Sequence, residues 1–177
     1  MDDKQIVEQI MAGDTEKYAL IVREYQQIVA NLTYKLCGRR LDVEEVTQQV
    51  FVELYTALPR FRFDSKLSSF IYRITVNTVC KALTRERRTV SADDSERRPE
   101  MPSGDLNVEQ QIIRREQLDA LRDAIGRLKD EQRTALVLYT FEDFSCLQIA
   151  EVMGCSLSKV ESLIFRAKKN LAKMLKQ

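Results

Sequence analysis

The chain contains neither histidine nor tryptophan. The first absence removes histidine-based nucleophile triads, the usual general base at neutral pH and the commonest metal ligand. Only five glycines and three prolines occur among 177 residues, and no glycine cluster forms a phosphate-cradling loop. The four cysteines, Cys37, Cys80, Cys146 and Cys155, never pair as CxxC, so no metal site and no cofactor are expected. In a reducing compartment they read first as small buried apolar side chains, with a redox-sensing pair such as Cys146 and Cys155 as the second reading. No stretch has the uninterrupted apolar length of a membrane span. The start, MDDKQIVEQIMAG, is acidic and amphipathic, unlike the basic and then apolar start of a signal peptide. These absences together predict a cytoplasmic protein with no membrane insertion, and not an enzyme.

What the chain does have is charge and aliphatic bulk. Charged residues make up 31% and hydrophobic ones 44%, with only 7% aromatic, the balance of a chain built from amphipathic helices. An all-α protein is expected. Net charge is only +1, so distribution matters more than total. From Arg73 to Arg88 the cations Arg73, Lys81, Arg85, Arg87 and Arg88 face one acid, Glu86. From Lys159 to Lys176 the cations Lys159, Arg166, Lys168, Lys169, Lys173 and Lys176 face only Glu161. Acid gathers between these stretches at Asp93, Asp94, Glu96, Glu100 and Asp105. The segment TVSADDSERRPEMPSGDLN, residues 89–107, is rich in turn formers and has no hydrophobic period, which reads as a flexible acidic linker. It divides the chain into one small helical domain over 1–88 and another over 108–177.

In the first domain the pattern predicts a short helix, a break at Gly13-Asp14 and a long helix ending near Cys37. Asp42 then caps VEEVTQQVFVELYTAL, with Val43, Val46, Val50, Leu54 and Ala57 inward. Glu44, Glu45, Gln48 and Val52 lie on the other face. The turn PRFRFDSK sets Phe61, Arg62 and Phe63 before a helix from about Leu67 to Arg87 that presents Tyr72, Arg73, Asn77 and Lys81. Aromatics interleaved with cations suit unstacked single-stranded bases; a core-plugging role suits one of the two phenylalanines equally well.

In the second domain Ile112, Leu118, Leu121 and Ile125 point inward on one helix, and Ala135, Leu136, Leu138 and Tyr139 on the next. Ser145 caps a short helix, Gly154 stops it in a left-handed conformation, and a longer basic helix follows. This is the grammar of a helix-turn-helix. On a wheel of about 100° per residue, Val160, Ile164, Ala167, Leu171 and Met174 face the core. Ser158, Ser162, Phe165, Arg166, Lys169, Lys173 and Lys176 face away, with Leu163 flanking the core and Glu161 at the other edge. Small residues at the helix start and cations beyond suit base edges first and phosphates next.

These pieces, in this order, resemble the extracytoplasmic-function sigma factors of bacterial RNA polymerase. DVEEVTQQVFVELYTALPRF is similar to the family's core-binding helix, and SSFIYRITVNTVCKALTRERR to its promoter-melting helix. RLKDEQRTALVLYTFEDFSCLQIAEVMGCSLSKVESLIFRAKKNL is similar to its promoter-reading domain. The resemblance implies a region 2 bundle and a region 4 helix-turn-helix acting in transcription initiation. Asp42, Glu44, Glu45, Gln48 and Gln49 would grip the clamp helices of the polymerase's largest subunit. Phe61, Arg62, Phe63, Lys66, Phe70, Arg73 and Asn77 would capture the opened −10 element, while Arg85, Arg87 and Arg88 meet duplex phosphates. The −35 element would fall to Ser158, Lys159, Glu161, Ser162, Arg166 and Lys169, with the second domain docked on the flap of the second-largest subunit. The implied partners are core RNA polymerase and promoter DNA, with an anti-sigma protein as a further candidate, and the free chain is expected to be monomeric.

The chain departs from the family at Phe70, where tryptophan is usual, at Lys129, where proline is usual, and at VESL, where the last helix usually begins VKSR-like. Glu161 can accept a hydrogen bond from cytosine N4, which implies a −35 preference of its own. Two rival readings make distinct predictions. A stand-alone regulator would bind palindromic duplex without polymerase, and a sigma-like interaction protein would occupy polymerase without opening DNA.

Overall fold

Two aspartates and a serine act where their positions predict. Asp14 accepts hydrogen bonds from the backbone N–H groups of Glu16 and Lys17, and Asp42 from those of Glu44 and Glu45. Ser145 closes a reciprocal capping box with Gln148. Each satisfies donors that a helix start leaves unpaired, a contribution of about 1 kcal/mol apiece. The computed structural model describes residues 3–38, 40–89 and 118–176.

The helices run α1 Asp3–Met11, α2 Thr15–Cys37, α3 Val43–Ala57, a 3-10 turn Leu58–Arg60, α4 Leu67–Thr89, α5 over 118–126, α6 Asp130–Phe141, α7 Cys146–Met153 and α8 Leu157–Met174. All regular structure among the described residues is helical. The expected linker lies outside the described residues apart from Thr89, and so do the expected start of the second domain and Ile112.

One core fills the distal part of the first half, where Val7, Ile10, Ile21, Val50, Leu54, Leu67 and Ile71 surround Phe51, Phe61 and Phe70. A second core is shared by both halves. Leu32 and Leu36 of α2 and Val76, Val79 and Leu83 of α4 pack with Val137 and Leu138 of α6, Ile149 and Val152 of α7, and Val160 and Ile164 of α8. Burying a side chain of this size stabilises by roughly 1.5 to 3 kcal/mol, so the seam between the halves is a true core.

The seam changes the reading of α6. Its expected inward residues Ala135, Leu136 and Leu138 are buried, but so are Gln132, Arg133, Thr134 and Val137. Helix α6 lies between α8 on one side and α2 and α4 on the other, so it has no solvent face over these residues. Tyr139, expected inward, is exposed beyond this sandwich, with the Lys168 ammonium 4.8 Å over its ring. Leu118 is exposed as well, and Ala124 and Leu128 take the inward positions of its segment.

Polar contacts flank the shared core. Arg133 is only 2% exposed and donates to Asp130 at 2.7 Å and to the Gly126 carbonyl at 3.1 Å. From the first half, Arg87 donates to the same Asp130 oxygen at 2.7 Å and Arg40 to the same Gly126 carbonyl at 2.6 Å. Burial, joined by the neighbouring Arg40 and Arg87 charges and opposed by Asp130, lowers the Arg133 pKa from its ordinary value. At the other end, Glu142 accepts from Lys35 Nζ at 2.6 Å and from the Tyr72 hydroxyl at 2.8 Å.

Candidate nucleic-acid interface

Helix α7 ends at Gly154, which takes φ 61 and ψ 40, the left-handed stop that a glycine adopts without steric penalty. Ser156 accepts from the Lys159 backbone N–H and starts α8. The α8 wheel then divides as its sequence predicts. Val160, Leu163, Ile164 and Ala167 are buried, so Leu163 joins the core it was expected to flank. Ser158, Glu161, Phe165, Arg166 and Lys169 are exposed, and Ser162 is half-buried between them. Phe165 is 67% exposed at the middle of this face, an apolar surface that the sequence placed outward without giving it a role.

Lys159 is the exception on α8. Its ammonium lies 2.7 Å from Glu131 Oε1 at the start of α6, and this hydrogen bond raises its pKa above the ordinary value. Lys159 is exposed all the same, with its ammonium paired to Glu131 at the surface.

In the first half, the expected −10 residues divide between surface and core. Phe61 and Phe70 are only 7% and 6% exposed, with ring centroids 4.8 Å apart, so neither offers a stacking face as the sequence reading expected. The reason is tertiary: both rings are buried in the core that α1 to α4 build together. Phe63 is the exposed member of the trio, held at φ 60 with its ring 4.8 Å from Phe61. Arg62 and Lys66 are exposed beside it, and the Arg73 guanidinium lies 5.3 Å above the Phe70 ring. One turn further along, Asn77, Cys80, Lys81, Thr84, Arg85 and Arg88 line an open groove of about 640 Å³.

Glu53 reaches this groove from α3, accepting from Lys81 at 3.1 Å and from Thr78 at 3.0 Å. Burial pushes the Glu53 carboxyl up, but these hydrogen bonds outweigh it and hold the pKa below the ordinary carboxylate value. On the outer face of α3, Asp42, Glu44, Glu45, Gln48 and Gln49 are all exposed and form one acidic, amide-rich surface. Among the described residues no group of histidine, cysteine, aspartate or glutamate side chains is arranged to hold a metal ion. No described helix is long and apolar enough to cross a membrane.

Residues 21–89 match Sigma-70 region 2 and residues 118–171 match Sigma-70, region 4. The RNA polymerase sigma-H factor of Pseudomonas aeruginosa is 33% identical over 98% of this chain and 93% of its own length. The chain belongs to the sigma-70 family. Its similarity to the ECF RNA polymerase sigma-E factor of Escherichia coli, 33% identical over 95% of this chain and 91% of that one, places it in the extracytoplasmic-function group. Among solved structures, the sigma factor RpoE in complex with the anti-sigma factor NepR from Bartonella quintana has a TM-score of 0.69 at 19% identity, covering 91% of this chain and 98% of its own. CnrH in complex with the cytosolic domain of CnrY also gives 0.69, at 24% identity over 98% of this chain and 97% of that one. These two likenesses show the fold. The chain is thus an extracytoplasmic-function sigma factor that directs promoter recognition, with α2 to α4 in the region 2 match and α5 to α8 in the region 4 match.

Proposed function

We propose that this sigma factor divides its work among three helices. The outer face of α3, with Asp42, Glu44, Glu45, Gln48 and Gln49, takes the clamp of core RNA polymerase. The exposed groove side of α4, with Arg62, Phe63, Lys66, Arg73, Asn77, Arg85 and Arg88 on and before it, receives the opened −10 strand. The outer face of α8 reads the −35 duplex through Ser158, Glu161, Ser162 and Arg166, with Lys169 on phosphate. Stacking at −10 is assigned to Phe63, because Phe61 and Phe70 are buried. No covalent step is assigned to the chain: it selects and holds DNA in the cytoplasm while the polymerase supplies the chemistry. A protein partner that restrains the factor, as NepR is an anti-sigma factor for RpoE, belongs to the same reading.

The observation that carries the assignment is the division of α8. Its apolar side is buried in the shared core, while small, acidic and basic side chains that fit base edges and phosphates occupy the outward side. Binding and opening are separable in the test. Purified variants are measured for affinity to sigma-free core polymerase and for strand opening at a promoter used by the wild type. Arg73→Ala and Asn77→Ala are expected to bind polymerase like the wild type and to open the promoter less. Glu44→Lys with Glu45→Lys is expected to lose polymerase binding. Loss of polymerase binding by Arg73→Ala or Asn77→Ala would overturn the division of roles.

A further inference from the structure

Helices α2, α3, α7 and α8 each take a side-chain cap from the residue just before them. Helix α4 differs. Lys66 precedes it, and an ammonium has no acceptor to offer the unpaired N–H groups of a first turn. The acceptor comes instead from α1. Asp3 Oδ2 accepts the Leu67 N–H at 2.9 Å, across 64 positions of sequence, and sets a carboxylate at the positive end of the α4 dipole. The apolar side of α1 fixes where that carboxylate stands, because Val7 and Ile10 are buried in the same core as Phe61, Leu67 and Phe70.

The capped turn carries the loop assigned above to the −10 strand, and this inference rests on that assignment. Residues 61–66 form a short arc between the 3-10 turn and α4. One end is held where the Phe61 N–H donates to the Leu58 carbonyl at 3.0 Å, and the other where Leu67 donates to Asp3. Between these ends Phe63 sits at φ 60, a left-handed conformation that a bulky side chain keeps only where its surroundings enforce it. A row of rings links the cap to Phe63. The Phe70 N–H donates to the Lys66 carbonyl at 3.2 Å, so Phe70 belongs to the turn that Asp3 caps. Its ring packs 4.8 Å from Phe61, and Phe61 packs 4.8 Å from the exposed Phe63.

We propose that Asp3 is a positioning residue for promoter opening. By capping α4 it locks the arc and presents the Phe63 ring before DNA arrives, so that capture of an unstacked base does not also have to order the loop. Asp3 touches no DNA in this scheme, and the α3 face assigned to polymerase does not include it.

A double-mutant cycle tests this. Full-length wild type, Asp3→Ala, Phe63→Ala and the double variant are assembled with sigma-free core polymerase. Polymerase affinity and the rate of strand opening are then measured at a promoter used by the wild type. Asp3→Ala is expected to bind polymerase like the wild type and to open the promoter several-fold more slowly. Asp3→Asn, which keeps a carbonyl acceptor but drops the charge, should recover part of that loss. In the Phe63→Ala background, Asp3→Ala should cost nothing more, because its effect runs through that ring. A loss of the same size in both backgrounds would show that Asp3 only supports the fold and would overturn the proposal, as would wild-type opening by Asp3→Ala. If circular dichroism shows that Asp3→Ala does not fold, the cycle is run with Asp3→Asn. A smaller loss is then expected with Phe63 present and none without it, any other pattern overturning the proposal. Wild-type opening by Phe63→Ala would remove Phe63 from the −10 reading and the proposal with it. A defective Phe63→Ala beside a fully active Asp3→Ala would overturn the positioning role alone.

Discussion

Helices α4 and α8 are both basic, yet the structure uses them in opposite ways. Helix α8 buries one apolar side and leaves Arg166, Lys169 and Lys173 exposed on the other. Helix α4 is engaged on several sides. Val76, Val79 and Leu83 enter the shared core, Tyr72 is bound to Glu142, Lys81 to Glu53 and Arg87 to Asp130. A basic stretch of sequence therefore does not by itself define a DNA surface. Both helices have cations that other parts of the chain engage, Lys159 and Lys168 on α8 and Lys81 and Arg87 on α4, and they differ in that α8 keeps one whole side outward. Helix α8 displays a ready face, whereas α4 displays one only in part.

The largest effect that would break this comparison comes from the seam. Leu138 is fully buried where α6 meets the first half, and Leu138→Ala should cost about 2 to 5 kcal/mol. Urea unfolding followed by fluorescence of a label in either half should show both halves losing stability together. A loss confined to the second half would mean that the two do not share a core in solution.

A smaller effect should appear on α8 alone. On the proposed assignment, Arg166→Ala weakens binding to −35 duplex by about 1 to 3 kcal/mol if the side chain pairs with a base. If it meets only phosphate, the affinity loss is similar for all sequences and the salt slope falls by about one. Fluorescence anisotropy against specific and scrambled duplexes at several salt concentrations separates the two outcomes. Glu161→Lys should alter the preferred −35 sequence and raise affinity for scrambled duplex, and an unchanged preference would place this side chain away from the bases.

The thiols give a finer probe of the seam. Burial pushes the Cys37 thiol up to about 11 and raises that of Cys80, which lies across the seam from Thr134. Both should react slowly with maleimide in the folded chain, because the thiolate is the reactive form. Loosening the seam by Leu138→Ala should speed the reaction, and equal rates would argue against burial of these thiols in the shared core.

The smallest effect concerns Glu53. Its folded pKa is depressed from 4.5, so its contribution to stability is present above that value and is lost as pH falls through the lower folded value. Its Lys81 partner is largely exposed, which limits the effect to about 0.5 kcal/mol by solvent screening. Glu53→Gln should flatten the acid limb of the stability curve below pH 4.5, and an unaltered limb would show that Lys81 is not held.

Local chemistry made much of this legible from sequence. Asp14, Asp42, Ser145 and Gly154 act on backbone groups a few residues away, so their roles depend on little else. The division of α8 followed from period alone because only one side of that helix is covered. Helix α6 defeated the same reasoning. Gln132, Arg133 and Thr134 look like a solvent face, and they are buried because residues distant in the chain pack over that helix, Asn170 of α8 against Gln132 and Cys80 of α4 against Thr134. Phe61 and Phe70 failed for a related reason. Their type suits a base-stacking surface or a core, and only the packing of α1 to α4 together decides between them. Glu142 carried no signal at all, since FEDF has no period and the partners Lys35 and Tyr72 are distant in sequence.

The account stands or falls on whether this chain directs initiation. The most direct measurement is transcription in vitro by sigma-free bacterial core polymerase with the purified protein on fragmented genomic DNA, followed by sequencing of transcript 5′ ends. The account predicts discrete starts that share two upstream elements, at −10 and −35. Confirmed polymerase binding without specific starts would contradict it and point to a sigma-like protein that holds polymerase without opening DNA.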